Sequence, residues 1–263
     1  MSHDTRPEFR WLERGDGEPV VLLHGLMGQM HHWDATLSAL AGTARLLAPE
    51  LPLFEPGFGD VSLASLADHV RGLLDALDIG RAVVGGNSLG GHVALELALA
   101  HPERVNGLVL TGSSGLFERT FARGVPHRPS LAYVREKMEE VFYDPALVTD
   151  AWVESVRRTV TTRSTALQVL KVARAARSRN VEPWLPTIRV PTLLVWGRDD
   201  RVTPPEVAHR FHRSMPGARL VFLPDCGHAP MLEQPNLFND ALETWLRATR
   251  RRRDIGAVVE VAR

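Results

Sequence analysis

The strongest constraint on the fold of this chain is a regular alternation between short apolar runs and longer segments of helical period. Apolar runs such as Val20–His24 and Ala82–Gly86 are rich in β-branched residues, and the second is followed directly by the helical stretch Ser88–Ala100. This pattern predicts a mostly parallel sheet that is covered by helices. Open sheets of this kind carry their sites at the carboxyl ends of the strands, so chemistry is expected there.

Seven strands are predicted, at Phe9–Glu13, Val20–His24, Ala44–Pro49, Ala82–Gly86, Val105–Thr111, Pro191–Trp196 and Ala218–Leu223. Helices of the sheet region are predicted at Ser62–Leu77, Ser88–Ala100, Pro205–Ser214 and Leu237–Thr249. Between residues 116 and 186 the alternation stops, and three helical patterns follow one another at Ser130–Phe142, Leu147–Thr162 and Thr165–Ser178. We interpret this segment as a cap over the carboxyl edge of the sheet. Packing of its helices on the flank of the sheet is the alternative.

The chain is therefore expected to divide into three parts. Residues 1–115 and 187–250 form the core, residues 116–186 form the helical cap, and residues 251–263 form a disordered tail. Four consecutive arginines, at 250–253, span the end of the core and the start of that tail. No other basic face supports a role in nucleic-acid binding, so a solvated end is the preferred interpretation.

Composition narrows the function classes. The 263 residues include 31 Lys+Arg and 31 Asp+Glu, so the formal net charge is zero. Binding to nucleic acid or to a membrane surface is therefore not favoured by overall charge. Cys226 is the single cysteine, which excludes an internal disulfide and a cysteine-cluster metal site. The opening residues lack the apolar core of a signal peptide and no run approaches 18 apolar residues, so we expect a cytoplasmic enzyme. The oligomeric state stays open, with a homodimer as one option.

The sequence Gly86-Asn87-Ser88-Leu89-Gly90 follows a predicted strand and opens a predicted helix. This G-x-S-x-G pattern in that context is typical of a nucleophile elbow, a strained turn that exposes the serine hydroxyl. Side chains at the flanking glycines would collide with neighbouring backbone. Ser88 is therefore the candidate nucleophile, placed at a helix N-terminus that favours developing negative charge.

A nucleotide-binding loop is the rival interpretation of these glycines. A P-loop needs a lysine before the serine, and a dinucleotide fingerprint needs an acidic residue at the end of a second strand. Neither feature is present, so this interpretation is disfavoured.

A serine nucleophile requires a base and a third group that sets the tautomer of the base. In the order expected for this elbow, an acid and then a histidine follow the serine. His228 comes after the last predicted strand and a glycine, and it is the candidate base. Asp199 and Asp200 both follow the strand that ends at Trp196, and either could be the acid.

The oxyanion of a tetrahedral intermediate needs two backbone N–H donors. Leu89, directly after Ser88, supplies one by position. Leu26 lies in the loop after the strand Val20–His24 and is the candidate for the second. His24 is expected to brace that loop without taking part in the chemistry.

Taken together, the segments LLHGL, GNSLGG, WGRDD and CGH, distributed over almost the whole chain, resemble the α/β-hydrolase superfamily. More narrowly, they resemble the meta-cleavage-product hydrolases, which cut C–C bonds in aromatic degradation products. The resemblance implies an α/β-hydrolase fold, a mostly parallel central sheet flanked by helices, with an all-helical cap inserted after the sixth strand. It also implies Asp200 as the acid, because the second aspartate of WGRDD has that role in the family. No metal or organic cofactor is implied.

Departures from that family bear on the substrate. C–C hydrolases usually carry a tryptophan after the histidine, where this chain has Ala229, and a cap arginine that binds the substrate carboxylate. Alignment from Phe142 puts Val156 at the place of that arginine, with Arg157 and Arg158 just beyond. The predicted pocket residues are His32, Trp33, Phe142, Trp152, Arg157 and Ala229.

We therefore expect a serine hydrolase that cleaves small, largely apolar carboxylic esters through an acyl-enzyme. One alternative is a C–C bond hydrolase acting on 2-hydroxy-6-keto-dienoates. The other is a non-catalytic receptor of the same fold that binds a small ligand. The expected partner is a small-molecule substrate.

Overall fold

The computed structural model describes residues 9–55, 61–117 and 129–257. Its seven-stranded sheet has the order β1-β3-β2-β4-β5-β6-β7. The strands are β1 (Trp11–Arg14), β2 (Pro19–Leu23), β3 (Arg45–Pro49), β4 (Ala82–Asn87), β5 (Val105–Thr111), β6 (Thr192–Gly197) and β7 (Arg219–Leu223). β1 pairs antiparallel with β3 at one edge, and the other neighbouring strands pair in parallel. The predicted mostly parallel sheet is confirmed.

The sheet is covered on both faces, and this explains the sequence pattern of its strands. All residues of β4 and β6 are buried, as expected for interior parallel strands that appear as unbroken apolar runs. In β2, Val21 and Leu23 belong to one hydrophobic cluster, whereas Val20 and Leu22 belong to another. Both faces of the interior strands are therefore filled by core, which leaves the ends of those strands as their accessible part.

Nine α-helices lie in the described residues: α1 (Asp34–Leu40), α2 (Leu63–Ala76), α3 (Leu89–Ala100), α4 (Leu131–Glu139), α5 (Asp150–Thr161), α6 (Arg163–Ser178), α7 (Pro205–Ser214), α8 (Pro230–Glu233) and α9 (Pro235–Ala257). Side chains that accept a backbone N–H begin four of them, and these are Ser62, Ser130, Thr149 and Thr162. Such caps satisfy amides that have no partner within the helix, so they set where each helix begins. None of the helices in these ranges is long and apolar enough to cross a membrane.

Helices α4–α6 form the segment between β5 and β6, so this insertion follows the fifth of the described strands, whereas we expected it after the sixth. Seven apolar runs account for the seven strands, and five of them precede the insertion. At the other end, α9 continues to Ala257, beyond residue 250 where we expected the core to end. Of the expected cap and tail, residues 118–128 and 258–263 lie outside the described ranges.

Candidate active site

Ser88 lies between the end of β4 and the start of α3, in a backbone conformation that is rare for a residue with a side chain. Its φ is 54° and its ψ is −118°. A Cβ at Gly86 would lie 2.6 Å from the Leu23 carbonyl oxygen, and one at Gly90 would lie 2.3 Å from the same oxygen. These approaches are too close for any side chain, so the expected reason for the flanking glycines is confirmed. The turn has the strain and the tight packing of a nucleophile elbow.

Three backbone hydrogen bonds hold Ser88 in this conformation. Its N–H donates to the Thr111 carbonyl at the end of β5 at 3.1 Å. Its carbonyl accepts from the His92 and Ser114 amides, each at 3.2 Å. The strain at the elbow is thus supported by the neighbouring strand and by the loop that follows it.

His92 lies behind the elbow with no accessible surface. Its Nδ1 is 3.4 Å from the Ser114 hydroxyl, and its Nε2 is 3.8 Å from Glu96 Oε1. Burial, with a smaller contribution from the positive charge of Arg179, lowers the pKa of His92 to about 3. In the unfolded chain a histidine has its ordinary pKa of about 6.5. Between pH 3 and pH 6.5, His92 is therefore neutral in the folded protein and protonated in the unfolded chain.

We expect the free energy of unfolding to fall as the pH drops below 6.5. Below this pH the unfolded chain binds a proton at His92 that the folded protein does not bind. The free energy of unfolding therefore has its full value, as far as His92 is concerned, above pH 6.5 and falls steadily towards pH 3. The slope is about 1.4 kcal/mol per pH unit for each such histidine. Urea unfolding of wild type and His92→Gln between pH 7.5 and 5 measures it, and the variant should have the shallower slope. Equal slopes would contradict the assignment.

Asp200 and His228 meet at the carboxyl edge of the sheet. Asp200 follows β6, His228 follows β7, and Asp200 Oδ2 lies 2.9 Å from His228 Nδ1. Both side chains are buried. A carboxylate at this distance accepts the Nδ1 proton, which leaves Nε2 as the basic nitrogen of the ring.

The carboxylate of Asp200 is fixed by three further donors. Its Oδ1 accepts from the Val202 and Thr203 amides at 2.8 and 2.9 Å, and its Oδ2 accepts from the Thr203 hydroxyl at 2.9 Å. Asp199, by contrast, is exposed, and its amide donates to the Cys226 carbonyl at 2.9 Å. Of the two candidate acids, the structure places Asp200 against the histidine.

Asn87, directly before Ser88, joins the elbow to the histidine loop. Its buried side-chain amide donates to the His228 carbonyl at 2.8 Å and to the Thr111 carbonyl at 3.1 Å. Sequence reasoning gave this residue no role, because its partners are peptide carbonyls that any residue type would supply. Its position between Gly86 and the candidate nucleophile Ser88, in a run of otherwise small or apolar residues, was the available signal.

The loop after β2 is held close to Ser88. A Cβ at Gly25 would lie 3.4 Å from the Ser88 Cβ. His24 Nε2 accepts from the Leu51 amide at 2.9 Å, so the ring proton is on Nδ1, 2.8 Å from the Gly25 carbonyl oxygen. Burial lowers the pKa of His24, which favours this neutral form. The ring therefore connects the loop that carries Leu26 to the segment after β3.

Three of the predicted pocket residues form one aromatic cluster. The Trp152 ring of α5 lies 5.3 Å from the His32 ring and 5.4 Å from the Phe142 ring, measured between centroids. Burial, followed by the proximity of His24, lowers the pKa of His32 to about 4. The carbonyl of Val141, next to Phe142, accepts the His228 amide at 2.9 Å. This cluster is thus neutral at pH 7 and adjoins the histidine loop.

The other three predicted pocket residues lie elsewhere or are already paired. The short turn that contains Trp33 points its ring into the core, where it packs against Phe238. Trp33 has no accessible surface, so it cannot line a pocket. Arg157 donates two hydrogen bonds to Glu154 on the same helix, at 2.9 and 3.0 Å. Ala229 is buried directly after His228.

Within residues 9–55, 61–117 and 129–257, no group of three or more histidine, cysteine, aspartate or glutamate side chains is placed to hold a metal ion. Cys226 is fully buried beside the histidine loop, and its burial raises the pKa of the thiol well above its usual range. A thiol in this state is a packing residue. The reactive side chains that follow β4, β6 and β7 are a serine hydroxyl, a carboxylate and an imidazole.

Sequence comparison identifies relatives that are named for two different activities. A protein from Pseudomonas putida, "Dihydrolipoyllysine-residue acetyltransferase component of acetoin cleaving system", is 32% identical over 91% of this chain. The chain spans 66% of the length of that protein. A protein from Burkholderia cepacia, "2-hydroxy-6-oxo-6-phenylhexa-2,4-dienoate hydrolase", is 31% identical, and the match covers 86% of this chain and 87% of the relative.

Comparison with solved structures and with a family model identifies α/β hydrolases. MGS-MChE2, an α/β-hydrolase enzyme from the metagenome of lagoon sediments at Mar Chica, Morocco, matches with a TM-score of 0.76 and 33% identity. This match covers 94% of this chain and 99% of that structure. The model of the α/β hydrolase family matches residues 20–241, which is most of the chain. The chain therefore belongs to the α/β-hydrolase family and is a hydrolase.

Proposed function

We propose that this hydrolase cleaves small, largely apolar carboxylic esters through an acyl-enzyme on Ser88. His228 is the general base, Asp200 orients it, and the Leu26 and Leu89 amides bind the oxyanion. The observation that carries the proposal is the buried Asp200–His228 pair, 2.9 Å apart, at the same sheet edge as the strained Ser88 turn. The fold alone would not support it, because this scaffold hosts many reactions.

In the proposed mechanism His228 Nε2 removes the Ser88 hydroxyl proton as Oγ attacks the ester carbonyl carbon. The imidazolium that forms is stabilised by Asp200, and the oxygen that becomes negative is stabilised by the two amides. His228 then donates the proton to the leaving alkoxide, which departs as the alcohol. In the second half, His228 activates water, which attacks the acyl-enzyme and releases the carboxylic acid and Ser88.

We further propose that helices α4–α6 cap the site. Two contacts support this. The His228 amide donates to the Val141 carbonyl just after α4, and Trp152 of α5 packs against His32 beside the loop after β2. The helical segment thus reaches both sides of the Ser88 edge.

The nature of the pocket wall favours an ester over an anionic substrate. A dienoate carries a carboxylate, and burying that charge requires a cationic partner or several hydrogen bonds. The aromatic cluster of His32, Phe142 and Trp152, which we propose as the pocket wall, is neutral at pH 7, and the Arg157 guanidinium is paired with Glu154. A neutral apolar ester suits these surroundings better.

A C–C bond hydrolase is the second candidate, and the names of several relatives favour it. The relative from Burkholderia cepacia, matched over 86% of this chain, is named for cleavage of a phenylhexadienoate. If Arg157 binds the carboxylate of such a substrate, its hydrogen bonds to Glu154 have to open first.

One assay separates the two candidates. We expect rapid hydrolysis of p-nitrophenyl esters, from acetate to decanoate, and little cleavage of a 2-hydroxy-6-keto-dienoate under the same conditions. The chain length with the highest kcat/KM reports the size of the acyl pocket. Dienoate cleavage with feeble ester turnover, lost in Arg157→Ala, would instead support the C–C hydrolase.

A further inference from the structure

Glu233 is the last residue of α8, and both of its carboxylate oxygens accept hydrogen bonds from backbone amides. Its Oε2 accepts from the Gly227 amide at 2.8 Å and from the Tyr143 amide at 2.7 Å, and its Oε1 accepts from the Ala229 amide at 2.9 Å. Gly227 and Ala229 are the two residues that flank His228. Tyr143 lies in the helical insertion, between α4 and α5.

With one further hydrogen bond, every amide of the histidine loop from 227 to 229 has a partner. The His228 amide, between the two that Glu233 binds, donates to the Val141 carbonyl at 2.9 Å. The fit is close, since a Cβ at Gly227 would lie 2.7 Å from the Val141 oxygen and 2.9 Å from the Tyr143 nitrogen. One carboxylate therefore holds the backbone on both sides of the histidine and anchors the turn that covers it.

We propose that Glu233 is a positioning residue, which sets the place of His228 relative to Ser88 through these three hydrogen bonds. The inference rests on the proposed role of His228 as the base. Hydrogen bonds to an ionised acceptor are roughly twice as strong as neutral ones, so the loop is held firmly. Placement matters because a displacement of about 1 Å at a reacting group costs on the order of 100-fold in rate.

Glu233→Gln tests the proposal with little change in shape. The glutamine oxygen can still accept from one side, but its NH₂ group faces an amide N–H on the other side, which releases one flank of His228. We expect kcat for the best ester to fall about 10- to 100-fold, with KM within about threefold of wild type. The far-downfield proton resonance of His228 Nδ1–H, bound to Asp200, should broaden or disappear.

Glu243→Gln is the matched control. Glu243 also uses its carboxylate in hydrogen bonds, to Thr43 at 2.8 Å and to Arg247 at 2.8 Å, but on α9 and away from the histidine loop. We expect its kcat, its KM and its downfield resonance to equal those of wild type. If Glu233→Gln does not fold, Glu233→Asp carries the same test, because the shorter side chain keeps the charge and loses the reach.

The outcomes separate this inference from the proposed function. Wild-type kcat and an intact resonance in a folded Glu233 variant, while Ser88→Ala is inactive, would overturn the positioning role and leave the proposed function standing. Full activity of Ser88→Ala would overturn the proposed function itself. Equal losses in the Glu233 and Glu243 variants would assign the effect to general destabilisation and overturn the positioning role.

Discussion

Ser88→Ala should abolish ester hydrolysis while the protein stays folded. Without the hydroxyl no acyl-enzyme forms, and what remains is the contribution of binding and of the oxyanion donors to direct attack by water. Comparable losses in serine hydrolases are about 10⁴- to 10⁶-fold in kcat. The backbone hydrogen bonds of the elbow do not involve the Ser88 side chain, so thermal unfolding should change little. Steady-state assay of the p-nitrophenyl series, with circular dichroism of the same samples, checks both statements.

Ser38→Ala is the control for this variant, because Ser38 is exposed on α1. It should keep wild-type turnover. Mass spectrometry after treatment with a fluorophosphonate should find one adduct, on Ser88, in wild type and in Ser38→Ala. An adduct on another serine, or near-normal turnover by Ser88→Ala, would refute the nucleophile assignment.

The sequence was informative about the sheet and the order of the site residues. The interior strands β4 and β6 are buried on both faces, so they appear as apolar runs, and their predicted limits agree with the structure within one residue. The elbow could be predicted because Gly86 and Gly90 lie so close to neighbouring backbone that only glycine fits at these positions. Chemistry at the strand ends then follows from the parallel topology.

The supports of the site could not be predicted in the same way. Asn87 and Glu233 act on peptide groups, and a peptide group has no side-chain signature in the sequence. The bracing role of His24, by contrast, was predicted and is confirmed by its hydrogen bonds to Leu51 and Gly25. Trp33 was misplaced because a four-residue turn has too little periodicity to show which way a side chain points. For Arg157 a signal existed, since Glu154 lies three residues earlier on the same helix, a spacing that favours an ion pair.

Asp200→Asn should be the second most damaging substitution, at about 10⁴-fold in kcat near neutral pH. The carboxylate at 2.9 Å from Nδ1 keeps the ring proton on that nitrogen. An asparagine that presents its NH₂ group to Nδ1 reverses the tautomer, so that Nε2 carries the proton and cannot accept one from Ser88. The Val202 and Thr203 amides can still donate to the asparagine oxygen, so the loop itself should persist.

Asp199→Asn provides the comparison, because it makes the same chemical change one residue away on an exposed side chain. The amide of Asp199, not its carboxylate, makes the contact to the Cys226 carbonyl, so that substitution should leave kcat within about threefold of wild type. The two variants together decide which aspartate is the acid. A large loss in Asp199→Asn with a mild one in Asp200→Asn would move the role to the exposed residue. It would also mean that the loop rearranges when substrate binds, because Asp199 would have to replace Asp200 beside His228 Nδ1.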